Sequence, residues 1–329
     1  MQLRRALSIP ALLFLSLSAC SWAATAEGTF DRTLNVGTGA VDLDVRTGSG
    51  NISVHSGNTS TVTIHGKIQA HDSFWNSEGG ISAAEKVKRL EANPPIEQNG
   101  NSIRIGHITD DALKNNVSIS YEIITPQNTG LHSETGSGSV DISDLQGSVR
   151  SSSGSGSLRL TNIGGEVHAN TGSGEIKSSN IKGHIYAQTG SGSIEATGVA
   201  GGFYGHTGSG DIKFEQSASG SVDVQTGSGS IRLRNVNGGL TAGTGSGDIV
   251  AQGAMASDWQ LHSGSGSVRV ELPQDAKFEV NARSSSGGIK INRPFTAQGA
   301  MRRNQIEGTV NGGGAKLDIS TGSGSIDVI

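Results

Sequence analysis

The feature that most constrains this chain is a tetrapeptide, Thr-Gly-Ser-Gly, that returns at a nearly fixed interval. It begins at Thr47, Thr135, Thr171, Thr189, Thr207, Thr226, Thr244 and Thr321, and Ser153 and Ser263 begin Ser-Gly-Ser-Gly variants. From Ser137 the central serines are Ser155, Ser173, Ser191, Ser209, Ser228, Ser246 and Ser265, in steps of 18, 18, 18, 18, 19, 18 and 19 residues. Ser286 and Ser323 continue the series with 37 residues between them, which reads as about two repeats. A short fixed period means that each repeat is one small supersecondary unit that buries its apolar face only against its neighbours.

Inside the repeats the apolar residues alternate. Val167, Ala169 and Thr171 share one parity before the Gly-Ser-Gly, and Ile176 follows it; the next repeats give Ile185, Ala187, Thr189 and Ile194, then Phe203, Gly205, Thr207 and Ile212. Period-two alternation means strands with one buried face. Each repeat therefore reads as two short strands joined by a Gly-Ser-Gly bend. A second corner is marked by x-x-Gly, as in Ile163-Gly164-Gly165, Ile181-Lys182-Gly183 and Val236-Asn237-Gly238. Glycine suits a bend that needs positive φ or leaves no room for a Cβ. Fifty glycines would otherwise suggest disorder, but here the apolar residues keep step with them, which low-complexity disorder does not do.

The predicted fold is all-β: a single-stranded β-solenoid, or β-helix, with rungs of about 18 residues and a short helical insertion near the N-terminus. Stacking would place Thr171, Thr189, Thr207, Thr226 and Thr244 in one column and the central serines in another. Their hydroxyls would satisfy one another and the corner backbone. On this reading the tetrapeptide is architectural and needs no ligand.

The start of the chain reads as a signal peptide. Arg4 and Arg5 precede a short apolar run from Ala11 to Leu17, too short for a permanent membrane helix. Residues 1–26 are assigned to this segment, with cleavage at Cys20, Ala23 or Ala26. Leu17-Ser18-Ala19-Cys20 resembles a lipobox, which would make Cys20 a lipidated N-terminus, whereas Ser21-Trp22-Ala23 and Ala24-Thr25-Ala26 are ordinary small-x-small sites. Cys20 is the only cysteine, so disulfides, cysteine metal sites and thiol nucleophiles are excluded. Removal of Arg4 and Arg5 takes the formal net charge from −4 to −6, a poor basis for nucleic-acid binding.

Residues 27–131 form a strand-rich part ahead of the repeats at 132–329. Strand patterns fall at Val41 to Val45, Ile52 to Val54, Val62 to Ile68 and Ile103 to Ile105, and Val117 to Ile124 leads into the repeats. The helical insertion is placed at 81–92: Ser82-Ala83-Ala84-Glu85 is a capping-box pattern, Ala84, Val87 and Leu90 share a face, and Asn93-Pro94-Pro95 stops the helix. Such a helix would cover the open end or a flank of the solenoid, whose bare rungs are an aggregation hazard.

Val117-Ser118-Ile119-Ser120-Tyr121-Glu122-Ile123, followed by Pro126 and the first Thr-Gly-Ser-Gly of the repeats, resembles the bacterial putative-adhesin family of β-strand repeat proteins. The likeness takes in Asp31-Arg32-Thr33-Leu34, Ile306 to Gly314, and the closing Ser325-Ile326-Asp327-Val328. It covers nearly all of the chain after residue 26. The resemblance implies a β-solenoid at the cell envelope and carries over no catalytic or ligand residue.

Candidate chemistry is sparse. Glu175, Asp211 and Asp248 follow Gly-Ser-Gly, but serines alternate with them, leaving about 10 Å between acids, near or beyond the limit for an inverting carboxylate pair. His168, His184, His206 and His262 are read at different repeat positions. No H-E-x-x-H, P-loop or dinucleotide fingerprint occurs, no cofactor or metal is predicted, and the nonapeptide of calcium β-rolls is absent. Three residues past each bend lie Arg159, Lys177, Glu195, Lys213, Arg232, Val250, Arg269 and Lys290, a mostly basic stripe that serves as a solvated face or an anion-binding surface. Tyr186 and Tyr204, one rung apart, would extend it into a sugar-binding surface.

These features predict an exported, non-enzymatic, adhesin-like structural or interaction protein in the periplasm, at the outer membrane or cell surface, or secreted. Its expected partner is an envelope glycan or another surface protein, with membrane contact only through a lipid at Cys20. A polysaccharide-acting enzyme on the same scaffold and an envelope-stress signalling partner are the alternatives.

Overall fold

A strand with alternating apolar residues buries one face only, so the two strands of a rung close on each other across a thin interior. The computed structural model, which describes residues 25–72, 81–298 and 302–329, has this arrangement. Cys20 and residues 1–24 of the segment read as a signal peptide lie outside the described residues. Among those described, the strand before each bend joins a front sheet of 15 strands and the strand after it a back sheet of 14. Val167–Thr171 is in the front sheet, Ile176–Ile181 in the back sheet, and Ile185–Thr189 returns to the front one rung on. The repeats are parallel and in register, Thr171 opposite Thr189 and Ile176 opposite Ile194.

The interior is filled by the residues that the alternation selects. Val167, Ala169, Ile176, Ile185, Ala187 and Ile194 are all buried. Where the column carries two large rings, Phe203 stacks on Phe214 from the opposite sheet at 4.5 Å and 3°. Gly205 makes room for them, since a Cβ there would meet the Phe203 ring at 2.6 Å. In the back-sheet strands the alternation is broken once. Asp144, Asn162, Asn180 and Asn235 have φ of 63°, 56°, 56° and 55°, and Gly198 has 67°. The left-handed residue inserts a step, so that Leu145, Ile163, Ile181, Val236 and Val199 turn inward after three residues rather than two. Asparagine tolerates this conformation and its amide also pairs along the stack: Asn162 Nδ2 donates to Asp144 Oδ1 at 2.8 Å, and Asn180 Nδ2 to Asn162 Oδ1 at 3.0 Å.

The Thr-Gly-Ser-Gly bends are joined by one repeated device. The Thr171 hydroxyl accepts from the Gly174 N–H of its own bend at 3.1 Å and donates to the Gly156 carbonyl of the rung before at 2.9 Å. The same two bonds recur at Thr189, Thr207, Thr226 and Thr244, and serine makes them at Ser153 and Ser263. These hydroxyls bond the corner backbone and not one another; the central serines project exposed along the edge. None of the bend glycines has positive φ. Their requirement is space: a Cβ on Gly174 would overlap the carbonyl of Gly156, and one on Gly172 the carbonyl of Gly154.

Both ends depart from chain order. Val41–Thr47 and its bend stack directly on Thr129–Thr135, with Thr47 opposite Thr135, although 81 intervening residues are expected to separate such rungs by several turns (positions 48–128). At the far end, Ala315–Thr321 lies between Trp259–Ser263 and Phe278–Ser284, so the last rung in sequence is next to last in space. The Ser284 and Thr321 bends are therefore adjacent rungs, not two repeats apart, and residues between them form antiparallel strands at Gln305–Val310 and Thr296–Ala297. Antiparallel strands also close the other end, where Thr25–Asn35 pairs with Thr61–His71 and that strand with Val117–Pro126. Helix α1 (Ala83–Ala92) packs on these strands, Val87 lying against Gly28. Its Ser82 Oγ accepts from the Glu85 N–H at 3.3 Å, while the Glu85 carboxylate turns to Arg89 at 2.8 Å. Ala83, Lys86, Val87 and Leu90 form the buried face, and Ala84, expected there, is exposed. A second, one-turn helix α2 spans Asp111–Lys114.

Eleven bends are stacked in all, about 50 Å at 4.8 Å per rung. The device predicts a graded mutational series. Thr189→Val strands the Gly192 N–H and the Gly174 carbonyl and is expected to cost about 2 kcal/mol or more, whereas Thr189→Ser keeps both bonds and costs about 1 kcal/mol or less. Gly172→Ala is expected to cost about 3 kcal/mol, but Gly48→Ala, where a Cβ meets nothing within 4 Å, under about 0.5 kcal/mol. Urea unfolding of the four variants checks the order.

Candidate functional site

Because side chains alternate, the outward residues of each sheet form columns along the stack, and register decides who shares a column. On the back sheet, Arg159, Lys177, Glu195, Lys213, Arg232, Val250 and Arg269 do fall in one column. Lys290 is not next to Arg269, however. The out-of-order last rung puts Asp327 between them, 3.2 Å from Arg269. Lys177 pairs with Glu175 at 3.1 Å, and Arg232 approaches Asp211 at 4.0 Å. The stripe is therefore interleaved with carboxylates on and beside it, a solvated ladder of mixed charge rather than a continuous basic track.

Tyr186 and Tyr204 lie on the other face. They belong to front-sheet strands, Ile185–Thr189 and Phe203–Thr207, which precede the bend, while the basic residues follow it. A Gly-Ser-Gly bend carries the chain from one sheet to the other, so the two sets cannot form one surface.

On the front face the tyrosines have different company. His168, Tyr186, Tyr204 and Asp223 share a column. His168 stacks on Tyr186 at 4.6 Å and 10°, Tyr186 meets Tyr204 at 6.1 Å and 42°, and Tyr204 stacks on His206 of the next column at 4.2 Å and 22°. Tyr186 is 40% exposed. Beside this aromatic ridge, the neighbouring column reads Ser152, Asn170, Gln188, His206 and Gln225, each the residue just before a bend. Together with the first glycines of the bends it lines a trough of about 730 Å³. Among the described residues no Asp, Glu, Lys or Arg lines it. The column continues through Gly243 to His262, so His206 and His262 occupy one repeat position, contrary to the sequence reading.

The carboxylates after the bends have structural partners. Asp211 Oδ1 accepts from the Ser230 N–H at 2.8 Å and Asp248 Oδ1 from the Ser267 N–H at 2.8 Å, while Ser193 Oγ accepts from the Asp211 N–H at 3.2 Å. Serine and aspartate thus do one job, each taking an amide of the following rung. Among the described residues no group of three His, Cys, Asp or Glu is arranged to hold a metal ion.

The family model Toastrack DUF4097 matches residues 31–200 and 183–329. The chain belongs to the Toastrack DUF4097 family. The resemblance to adhesin-like β-repeat proteins drawn from the sequence is borne out by this match, and the stacked sheets are the fold expected of it. Two solved structures are similar to this Toastrack chain at low identity. One, a putative cell adhesion protein of Clostridium sporogenes, is 14% identical, with 92% of this chain and 99% of that one covered at a TM-score of 0.23. The other, a putative adhesin of Bacteroides fragilis, is 12% identical over 92% and 97%, at 0.33. Among curated proteins none matches the chain.

The structural role of Asp211 gives a prediction. Asp211→Asn keeps the Oδ1 acceptor and is expected to shift stability by less than about 0.5 kcal/mol, whereas Asp211→Ala leaves the Ser230 N–H unpaired and costs about 1 kcal/mol or more. Thermal unfolding of the pair checks it.

Proposed function

We propose that this Toastrack protein is an exported, non-catalytic, adhesin-like module whose front face binds a neutral glycan. The observation that carries the reading is the front-face trough. Primary amides at Asn170, Gln188 and Gln225 each offer both donors and acceptors, as sugar hydroxyls do, and no fixed charge lines the trough. The ridge of Tyr186 and Tyr204 supplies the apolar faces against which pyranose rings pack. The site is long and shallow and repeats with the rungs, which suits a linear polymer.

Export is supported by the Arg4-Arg5 start and the apolar run that follows, with lipid attachment at Cys20 as its anchored form. The non-catalytic reading is supported by the use of Asp211 and Asp248 as backbone acceptors, which ties these two carboxylates to the scaffold.

The test is binding of the purified protein to an array of neutral and acidic polysaccharides. Neutral polymers are expected to bind, with little dependence on added salt, and Tyr186→Ala combined with Gln188→Ala to weaken binding by about tenfold or more. Selective retention of acidic polymers, lost in salt, would instead assign the interaction to charged groups and sink this reading. Mass spectrometry of the protein recovered from cells is expected to show an N-terminus at residue 20, 24 or 27.

A further inference from the structure

The trough does not end at Ser152. Ser152 and Ser153 also line a second, deeper cavity of about 700 Å³ at the N-terminal end of the stack. Its walls come from the first bend at Thr47 and Gly48, the loop Gly106 to Ile108, Lys114 of α2, the strand Val117–Pro126 and the bend at Thr135 and Gly136. Here the regular stack gives way to the closing strands, so the edge of the front face falls inward.

One polar atom of this cavity's wall has no partner among the described residues. Tyr121 is 2% exposed and its hydroxyl makes no hydrogen bond, whereas His107 Nε2 lies 3.4 Å from Asp44 Oδ2. A buried, unpaired hydroxyl on a cavity calls for a ligand group or ordered water to complete it. Burial pushes the Tyr121 hydroxyl well above its ordinary pKa, which keeps it neutral and able to donate. Gly106, at φ 84°, packs beside it, where a Cβ would lie 3.2 Å from the hydroxyl and overlap the Arg46 carbonyl.

The remaining lining decides the chemistry. The Arg46 guanidinium is held by Asp44 at 3.1 Å, which raises its pKa, and approaches Glu134 at 3.6 Å. Asp44 also lies 3.4 Å from His107 and 3.7 Å from His132. Lys114 also lines the cavity, so Arg46 and Lys114 are set against Glu134 on the wall and Asp44 beside Arg46. Ile108, Val117 and Ile119 are the apolar part of the lining. A ring with one apolar face and a rim of hydroxyls fits that mixture.

We propose that this cavity is the terminal subsite of the trough, holding the end residue of a neutral glycan whose following residues lie along the Ser152-to-Gln225 column. The inference rests on the glycan reading of the front face. It adds that the protein recognises chain ends, with the Tyr121 hydroxyl as the group that contacts the terminal sugar.

Calorimetry tests it with the tetrasaccharides of α-1,4-glucose, β-1,4-glucose and β-1,4-N-acetylglucosamine, and with their long polymers. At least one tetrasaccharide is expected to bind one to one, and its polymer to compete in proportion to chain ends rather than mass. Tyr121→Phe is expected to weaken the tetrasaccharide by about tenfold or more while the melting temperature holds or rises, because an unpaired hydroxyl has been removed. Unchanged affinity in Tyr121→Phe, with Gln188→Ala weakening binding, overturns the inference and leaves the trough reading intact: the cavity then holds ordered water only. No binding of any sugar to the unaltered protein overturns both.

Discussion

Everything in this structure depends on a hydroxyl that belongs to two rungs at once. At each bend a threonine or serine closes its own Gly-Ser-Gly turn and reaches the second glycine carbonyl of the rung before it. The bond is side chain to backbone, buried, and repeated once per rung, so its loss leaves a donor and an acceptor stranded together. It works only because the glycines let successive bends approach to strand spacing, where any Cβ would strike the neighbouring carbonyl. Threonine and glycine are thus two halves of one requirement, which is why the tetrapeptide recurs intact while the strands between vary.

The same bond explains how the ends are built. Thr135 reaches Gly50 across 85 residues of chain, Thr321 reaches Gly266 across 55, and Ser284 reaches Gly324 across 40. The stack therefore does not depend on chain order; a bend of the right chemistry fits wherever a rung is exposed. Threading a distant rung into each end and closing with antiparallel strands leaves, among the described residues, a parallel edge only at the three-residue strand Ile289–Ile291. At the N-terminal end the closing strand even supplies the missing acceptor, since Thr47 donates to the Ile119 carbonyl at 2.7 Å.

Much of this was legible in the sequence, because the period, the alternation and the glycines are local signals. The stacked rung of two short strands and a bend follows from Val167, Ala169, Thr171 and Ile176. The order of rungs at the ends was not legible: Ser286 and Ser323 are 37 residues apart, and only long-range pairing shows that their bends touch. The left-handed step had a readable signal in Asn162-Ile163, Asn180-Ile181 and Asn235-Val236, where the apolar residue comes one place late. The front-face trough was readable too, as the residue before each bend in Asn170, Gln188, His206 and Gln225. Its residues are polar rather than charged, so they stand out less than the ionised side chains after the bend, and parity alone does not say that the strands on either side of a bend face opposite ways. The cavity at Tyr121 had no local signal, since five separate stretches of chain form it.

The account's central claim is that the bends are bonded parts of the stack and not loops laid over it. Hydrogen exchange at the bend amides measures this directly. Gly174, Gly192, Gly210 and Gly229 are expected to exchange as slowly as the flanking strand amides of Ile176, Ile194, Ile212 and Ile231, and to open with them in a single cooperative step. Bend amides that exchange freely while the strands stay protected would contradict it.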